Sequence, residues 1–409
     1  MSRPLTVISL YTGIGGLDFG FASAGYQTLA AADIDPAISR IFVKSGRRIS
    51  SLPWRYIDNG DLLRPQAGDE LLEAAGRHAG EVDVIIGGPP CQPFSKSGRW
   101  RTGRTQRMND PRATTISAYL DIVEKVRPAV FLFENVPAFD QGSDRDGPAY
   151  VKYRLGQIDL NQGTKYLDSY SSNCLNALDY GVPQRRQRFF LVCSANGSRF
   201  APPAATHGEG LLPLRTCWDA LAGCKVDHPE QYALTGRWAD LLPTIPEGQN
   251  YLWHTSRYQP DSRALFGWRR RYWSFLLKLA KNQPSWTIQA QPGSSTGPFH
   301  WENRRLSPHE IARLQTFPNP DDLEFDCSYR DSHRLLGNAV PSLLAEVLAR
   351  EIALQFLSKR FYRGGPKLQI DHVKAPRASR TSRIVPEKYL REKLDIMEHP
   401  GAGLGPIYQ

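Results

Sequence analysis

Short apolar runs alternate with segments of helical periodicity along the first half of the chain. The runs have the length and bounding turn residues of buried strands, and they are Thr6–Leu10, Thr28–Ala32, Val82–Ile86, Ala129–Phe133 and Phe189–Cys193. The helical segments are Leu17–Ala24, Leu71–His78 and Ala113–Val126. We predict a loop for Asp140–Gly163, which is rich in Gly and Asp. Alternating strands and helices are typical of an α/β fold with a parallel sheet.

The alternation stops at Asn196. From there to about Asn303 the sequence is rich in Pro, Gly, Trp and Tyr, with basic positions at Arg237, Arg257 and Arg269–Arg271. We therefore predict a domain boundary. Aromatic residues interleaved with arginine suit a surface that reads nucleic acid, although a small irregular domain with exposed tryptophans would have the same composition.

Periodicity returns after this block. Ser307 is the predicted N-cap of a helix, with Pro308 at the first helical position and Glu310 at the capping-box position. The segment Arg334–Leu357 ends in a long amphipathic helix. The tail from Phe361 is polar, basic and rich in Pro and Gly, so we predict that it is disordered.

Composition narrows the class of protein. The 409-residue chain has a formal charge of +10 and a pI near 9.3, which indicates a polyanionic partner such as nucleic acid. Its six cysteines show no pairs at zinc-ligand spacing, so we expect no metal site and a reducing compartment. No apolar run has the length of a signal peptide or a bilayer span, so we expect a cytoplasmic protein without a membrane partner.

Cys91 follows the third apolar run at a Gly-Gly-Pro-Pro corner, and Pro93 comes after it. Prolines fix φ, so the thiol lies on stiff backbone at the edge of the predicted sheet, which suits a nucleophile. A small buried cysteine in a turn is the simpler interpretation of Cys91 alone. The basic, Gly-rich segment Ser95–Arg112 would suit a flap over a phosphate backbone, or a solvated loop.

A second candidate site follows the first apolar run, where Gly13, Gly15 and Gly16 precede a helix. A strand, a glycine turn and a helix direct free N–H groups at a nucleotide-like ligand. Asp33 ends the next run, about 20 residues later, where an acid binds ribose hydroxyls. Asp61 follows another short predicted strand. A chance Gly-rich turn and surface acids would look alike.

Charged residues flank two further strands. Glu134 ends the apolar run Ala129–Phe133, where partial desolvation would raise the pKa of its carboxyl group. Gln184, Arg186 and Arg188 alternate along an extended segment, so their side chains share one face. Arginine there suits bidentate contact with carbonyl or phosphate oxygens. An ordinary strand-end acid and surface charge are the simpler interpretations.

Six motifs follow one another along the chain: Tyr-Thr-Gly-Ile-Gly-Gly, Gly-Gly-Pro-Pro-Cys-Gln-Pro-Phe-Ser, Phe-Glu-Asn-Val, Pro-Gln-Arg-Arg-Gln-Arg, Arg-Leu-Ser-Pro-His-Glu-Ile-Ala-Arg-Leu-Gln-Thr-Phe-Pro and Gly-Asn-Ala-Val-Pro. With these motifs in family order, the chain resembles the cytosine-5 DNA methyltransferases of bacterial restriction–modification systems. The likeness runs from about Val7 to Glu351, apart from the central block. Two positions depart from it, since the family usually has Phe at Tyr11 and often Glu at Asp33.

The resemblance implies a doubly wound, Rossmann-like S-adenosylmethionine-dependent methyltransferase sheet. A smaller, irregular target-recognition domain is inserted before the C-terminal helix. The implied boundaries are 1–195 with 321–360 for the catalytic domain, 196–320 for target recognition and 361–409 for the basic tail. Cys91 would be the nucleophile, Glu134 the acid, and Arg186 an assistant at the base. The implied cofactor residues are Tyr11, Gly13, Gly15, Gly16, Asp33, Ile34, Asp61, Leu62, Asn338 and Val340.

The chemistry of cytosine agrees with these roles. Carbon 5 is a poor nucleophile until a thiolate adds at carbon 6, and an acid at ring nitrogen 3 stabilises the charge that this addition creates. Because carbon 6 is hidden in the stack, the base must be flipped out. Neighbouring strands would bring Cys91 and Glu134 together, with the glycine turn on the strand beside them.

The implied partners are double-stranded DNA and, functionally, a cognate restriction endonuclease, and the implied state is a monomer. Three alternatives remain open: an RNA cytosine-5 methyltransferase, a non-catalytic DNA-binding homologue and a dinucleotide dehydrogenase. The long aromatic and basic block favours duplex DNA over RNA. The presence of Cys91, Glu134 and Arg186 together argues against the non-catalytic alternative.

Overall fold

One sheet organises the part of the chain that the computed structural model describes, which comprises residues 3–38, 40–41, 60–90, 114–140, 146–260, 263–267, 273–358, 364–382 and 384–391. Its strands are β1 (Leu5–Leu10), β2 (Tyr26–Ala32), β3 (Val84–Gly87), β4 (Val130–Asn135), β5 (Ser171–Asn176) and β6 (Gln187–Ser194). They lie in the order β2-β1-β3-β4-β6-β5. The first four are mutually parallel, and β6 is antiparallel to both of its neighbours.

Helices cover both faces of this sheet. The helices are α1 (Gly16–Ser23), α2 (Ala67–Ala75), α3 (Thr114–Val126), α4 (Asp146–Gln162), α5 (Cys217–Leu221), α6 (Pro308–Leu314), α7 (Tyr329–Asn338), α8 (Ser342–Phe356) and α9 (Glu387–Arg391). Short 3-10 turns are Pro137–Phe139, Ala177–Tyr180, Pro229–Tyr232, Ala239–Thr244, Tyr251–His254 and Pro320–Asp322. The five predicted strands and the predicted N-terminal helices are confirmed, with shifts of a few residues at their ends.

Alternate residues of each central strand supply the two halves of the core. Ile8 and Phe131 point to the face covered by α2, α3 and α4. Val7 and Val130 point to the opposite face, against α1 and α8. A strand buried on both faces has no polar side to offer water, which is why these runs are continuously apolar. The doubly wound α/β class is thereby confirmed.

The carboxyl ends of the parallel strands meet at one edge. β1 pairs with β3, and β3 pairs with β4. The glycine turn, the Gly-Gly-Pro-Pro corner and Glu134 therefore follow neighbouring strands, as predicted. The short strand predicted before Asp61 lies outside the described residues.

The segment predicted as the loop Asp140–Gly163 contains helix α4 instead. Val151, Leu155 and Ile158 are buried against the sheet. Their spacing is that of one helical face. The Gly and Asp content of the segment obscured this periodicity, because residues at its ends dominate the composition.

The central block has its own aromatic core. Trp238, Tyr251, Phe266 and Phe275 contact one another at ring-centroid distances of 5.2–5.9 Å. Regular secondary structure is sparse here, as the composition predicts. Helix α6 follows with the predicted capping box, in which the Glu310 N–H donates to the Ser307 hydroxyl at 3.2 Å.

Part of the segment predicted to be disordered makes defined contacts in the structure. Residues 364–391, apart from 383, form a segment that we call the C-terminal strap. Its main-chain N–H groups donate to three buried carboxylates. These bonds run from Lys367 and Leu368 to Glu346 at 2.6 and 2.8 Å, from Val373 to Asp219 at 2.6 Å, and from Ser379 to Glu247 at 2.7 Å.

The strap ends inside the aromatic core of the central block. Tyr389 is 1% exposed and stacks on Trp238 with 5.6 Å between ring centroids. Composition predicted disorder because the strap itself carries few apolar residues. Its partners are carboxylates and rings far away in sequence, which composition does not reveal.

A buried carboxylate lies in the first turn of α1. Asp18 is fully buried, and no hydrogen bond within the described ranges reaches either of its oxygens. Burial raises the pKa of Asp18 to about 7, and the nearby Ser9 hydroxyl offsets this only in part. Ionised Asp18 is therefore a cost that the fold carries above neutral pH.

We predict that Asp18→Asn stabilises the protein increasingly as pH rises. The unfolded carboxyl group has a pKa of about 4. Because the folded value is higher, wild-type stability is lost as pH rises towards 7. Urea unfolding at pH 5 and pH 8 should show a gain on the order of 2 kcal/mol at pH 8 relative to pH 5. A gain that is equal at both values would contradict the assignment.

We predict that Tyr389→Ala lowers the free energy of unfolding by about 3 kcal/mol, because it empties a ring-sized space in a packed core. Urea denaturation is the measurement. The matched control is Ile384→Ala, since Ile384 lies on the same strap and is 81% exposed. Equal stability of the two variants would mean that the strap is not part of the core.

Candidate active site

The glycine turn after β1 is hydrogen-bonded to the Asp33 carboxylate. The Gly13 N–H donates to Asp33 Oδ2 at 2.8 Å, and Asp35 N–H donates to Oδ1 at 3.0 Å. Gly13 and Gly15 have φ of 54° and 80°, the left-handed region that favours glycine. Burial raises the pKa of Asp33, and the two main-chain donors oppose that rise.

Two further segments converge on this turn. A Cβ atom on Gly60 would lie 1.8 Å from the Asp33 carbonyl oxygen, so the chain before Asp61 passes directly against Asp33. A Cβ atom on Gly16 would lie 2.1 Å from the Val340 carbonyl oxygen. The loop after α7 therefore presses on the start of α1 through glycine. Without side chains at these two positions, the backbones can approach this closely.

Aromatic and apolar side chains border the space around the glycine turn, Asp33, Gly60 and Val340, which we call the cofactor cradle. The Tyr11 hydroxyl donates to the Thr115 carbonyl at 3.0 Å. Burial raises the pKa of Tyr11, and the nearby charges of Asp61 and Asp33 raise it further. Ile34 is 70% exposed although it is large and apolar, and Leu62 is buried. Asn338 is exposed at the end of α7. The predicted cofactor residues thus lie around one cradle.

The cradle fits a nucleoside-containing cofactor. The N-terminus of α1 and the carboxylate of Asp33 lie at the same edge of the sheet, the arrangement that binds nucleotides in doubly wound folds. An exposed Ile34 and a partly buried Tyr11 offer apolar contact for a purine. Within the described ranges no group of His, Cys, Asp or Glu side chains is arranged to hold a metal ion.

Glu134 lies at the adjacent strand end in a nearly water-free position. Its side chain is 12% exposed. A Cβ atom on Gly88 would lie 2.6 Å from Glu134 Oε2, so only glycine leaves space for this carboxyl group. Burial raises the pKa of Glu134, against the opposing effects of Arg188 and Arg186.

The proline corner is tied to the end of the same strand. The Asn135 side-chain amide donates to the Pro89 carbonyl at 3.4 Å, and the Thr115 hydroxyl donates to the Pro90 carbonyl at 3.3 Å. Cys91 is the next residue, and both it and the basic segment Ser95–Arg112 lie outside the described residues. The described residues up to Pro90 therefore lead the chain past Glu134 to the point where Cys91 follows.

The two arginines of the alternating segment have different partners. Arg188 Nε lies 3.1 Å from Glu134 Oε1. Arg186 is fully buried and donates to the carbonyls of Ile288 and Gly337 at 3.1 and 2.7 Å. Its charge also lowers the pKa of Glu134, so it acts on the carboxyl group from a distance.

Sequence reasoning missed Arg188 and Gly88 as site residues. The alternation of Gln184, Arg186 and Arg188 was the available signal for Arg188, since it placed all three side chains on one face. The sequence around Gly88 gave no signal, because glycine is required there only to leave space for the Glu134 carboxyl group on a different strand.

No helix in the described ranges is long and apolar enough to cross a bilayer.

Comparison with solved structures shows the fold. The S. pombe Dnmt2 methyltransferase aligns with a TM-score of 0.54 at 17% identity, covering 88% of this chain and 100% of that one. The Entamoeba histolytica methyltransferase EhMeth aligns with a TM-score of 0.55 at 16% identity, covering 86% and 98%.

Comparison of sequences shows the family. The chain is similar to the type II methyltransferase M.SacI of Streptomyces achromogenes, with 36% identity over 387 residues, which is 87% of this chain and 94% of the relative. It is also similar to M.XorII of Xanthomonas oryzae pv. oryzae, with 28% identity over 391 residues, or 86% and 85% of the two chains. A family model for C-5 cytosine-specific DNA methylases matches residues 5–354. The chain belongs to the C-5 cytosine-specific DNA methylase family.

Proposed function

We propose that this DNA (cytosine-5)-methyltransferase transfers a methyl group from S-adenosylmethionine to a cytosine in a specific duplex sequence. It does so through a covalent Cys91 adduct on a flipped-out base. It serves a type II restriction–modification system in the cytoplasm, acts as a monomer, and is paired functionally with an endonuclease. The observation that carries the proposal is the buried Glu134 beside the corner that leads to Cys91.

Cys91 adds to carbon 6 of the target cytosine as a thiolate. This converts the ring to an enamine whose carbon 5 is nucleophilic. After methylation, loss of the carbon 5 proton and expulsion of the Cys91 sulfur restore the aromatic ring. The stiff Gly-Gly-Pro-Pro corner supports this role, because it limits the positions that the thiol can reach.

Glu134 supplies the acid at ring nitrogen 3. Its raised pKa keeps a proton on the carboxyl group to higher pH than an exposed glutamate would. Arg188 contacts one carboxyl oxygen and leaves the other directed at Gly88. We assign Arg188 the orientation of Glu134. Arg186, which the resemblance implies assists at the base, would do so by positioning the segment around Ile288 and Gly337.

The cradle residues would hold the cofactor. Asp33 would bind ribose hydroxyls, Ile34 and Tyr11 would contact the purine, and the turn from Gly13 to Gly16 would accommodate the amino-acid part. Asp61, Leu62, Asn338 and Val340 would complete the site. When bound there, S-adenosylmethionine supplies an electrophilic methyl group on a sulfonium.

The central block, residues 196–320, would read the target sequence. Its aromatic core is separate from the core of the sheet domain, whose chain we assign to 1–195 and 321–360. The net charge of +10 suits a polyanionic duplex. Flipping the base out costs a few kcal/mol, which contacts with the backbone must offset.

We predict that cells expressing the protein carry 5-methylcytosine at one sequence, and that Cys91→Ala abolishes it. Bisulfite sequencing of their DNA reports the base and its context together. Cys174→Ala is the matched control, because that thiol is exposed on β5.

Purified wild type should also form a trapped adduct with 5-fluorocytosine DNA. Methylation of transfer RNA but not of plasmid would favour the RNA alternative, and turnover by Cys91→Ala would exclude the adduct.

We predict that Glu134→Gln lowers kcat by about 100-fold or more, as expected for loss of a general acid. The wild-type rate should fall as pH rises through the pKa of Glu134, and the variant should lack that decline. Tritiated methyl incorporation from pH 6 to 9 measures both. Glu73→Gln, an exposed position on α2, is the control. An unchanged rate in Glu134→Gln would remove the residue from the mechanism.

A further inference from the structure

Arg334 joins two sides of the cofactor cradle. It lies on α7, the helix that leads to Asn338 and Val340, and its Nη2 atom donates to Asp35 Oδ2 at 2.6 Å. Asp35 follows β2, two residues after Asp33. The partners are 299 positions apart in the chain, and their side chains are only 29% and 22% exposed. The ion pair is therefore a long-range contact with limited access to water.

Asp35 is in turn hydrogen-bonded to Asp33. The Asp35 N–H donates to Asp33 Oδ1 at 3.0 Å, and Asp35 Oδ1 accepts from the Ala37 N–H at 2.9 Å. One oxygen of the Asp35 carboxylate is thus bonded to the next turn of the chain, and the other is bonded to Arg334. Two hydrogen bonds, joined by Asp35, therefore connect Arg334 with the Asp33 carboxylate.

Helix α7 holds Arg334 in place by contacts outside the cradle. His333 Nε2 lies 3.0 Å from the Gln289 carbonyl oxygen. A Cβ atom on Gly337 would lie 2.6 Å from Ala290, so this helix packs directly on the central block. The position from which the guanidinium group reaches Asp35 is therefore set by the packing of α7.

The helix itself has little need of this cation. Asp331, one turn before Arg334, lies 3.4 Å from Arg334 Nη2. The Ser328 hydroxyl already donates to Asp331 Oδ2 at 2.6 Å, and the Asp331 N–H donates to that hydroxyl at 3.1 Å. Ion pairs within one exposed helix face contribute little to stability. The shorter bond of Arg334, to Asp35, is the one that crosses to another segment.

We propose that Arg334 is a positioning residue for the cofactor, and that it acts through Asp35 to hold the Asp33 carboxylate in the orientation that binds the ribose hydroxyls. The inference rests on the proposed function and deepens it at the same site. A binding group that is already oriented loses less conformational freedom when its ligand arrives, so its support contributes to affinity. Ile34 stands between the two acids, and the same bonds fix its position for contact with the purine.

The variants are Arg334→Met, which keeps an unbranched apolar stem, Arg334→Lys, Asp33→Asn, and the double variant of Arg334→Met with Asp33→Asn. Arg330→Met is the control, since Arg330 is exposed in the first turn of the same helix. The probe is S-adenosylhomocysteine, whose Kd is measured by titration calorimetry without DNA or turnover. Methyl transfer to DNA separates KM for S-adenosylmethionine from kcat, and urea unfolding checks that each variant is folded.

We expect Arg334→Met to weaken S-adenosylhomocysteine binding by about 10-fold, a typical effect of losing one charge-assisted hydrogen bond. KM for S-adenosylmethionine should rise, and kcat should change by less than about twofold. Arg334→Lys keeps a cation and should stay within about threefold of wild type. Arg330→Met should bind as wild type does.

The double variant tests the route through Asp33. In the Asp33→Asn background, Arg334→Met should weaken binding by no more than about twofold further, because both changes remove the same contact. If Arg334→Met does not fold, Asp35→Asn removes the other partner of the ion pair and should weaken binding equally. A full additional loss in the double variant would overturn the proposal, as would unchanged affinity in folded Arg334→Met.

The two proposals fail differently. If wild type binds neither S-adenosylmethionine nor S-adenosylhomocysteine, the proposed function fails. If wild type binds both and methylates DNA while Arg334→Met binds them as tightly, only the role of Arg334 fails. A loss of affinity that Arg330→Met shares equally would also count against that role, because it would not depend on Asp35.

Discussion

The ion pair between Glu134 and Arg188 is the interaction on which the arrangement of the site depends. Burial favours the neutral carboxyl group, whereas Arg188 at 3.1 Å and the more distant Arg186 favour the carboxylate. Breaking a buried pair by removing one partner costs about 3–5 kcal/mol, because it leaves an uncompensated charge. Burial and the two arginines therefore have opposite effects on the pKa of Glu134. The effect of burial persists only while water is kept out of the site.

That closure comes from the way the two domains are joined. Gln184 accepts from the Ile288 N–H at 3.2 Å, and His333 Nε2 lies 3.0 Å from the Gln289 carbonyl oxygen. A Cβ atom on Gly337 would lie 2.6 Å from Ala290, so α7 packs directly on this returning segment. The segment Ile288–Ala290 of the central block is therefore packed between the segment that carries Arg188 and helix α7.

Local features of the sequence were sufficient to predict the strands other than β5, and to place the glycine turn, Asp33 and Glu134 at strand ends. Each depends only on an apolar run and the few residues directly after it. Helix α4 was missed because Gly and Asp at its borders concealed three apolar positions on one face. The alternation around Arg186 gave a shared face but not the partners, which come from Glu134, Ile288 and Gly337 in other parts of the chain. The same limit applies to the strap, whose order depends on carboxylates that are distant in sequence.

The C-terminal strap makes the central block a discontinuous unit, assembled from two stretches of the gene. Tyr389 stacks on Trp238, and Ser379 and Lys281 both contact Glu247. A recombination event that replaced residues 196–320 alone would leave the Tyr389 ring against the aromatic residues of a different protein. An exchange of this block between relatives keeps the Tyr389–Trp238 contact only if the 3′ end of the gene is exchanged with its middle.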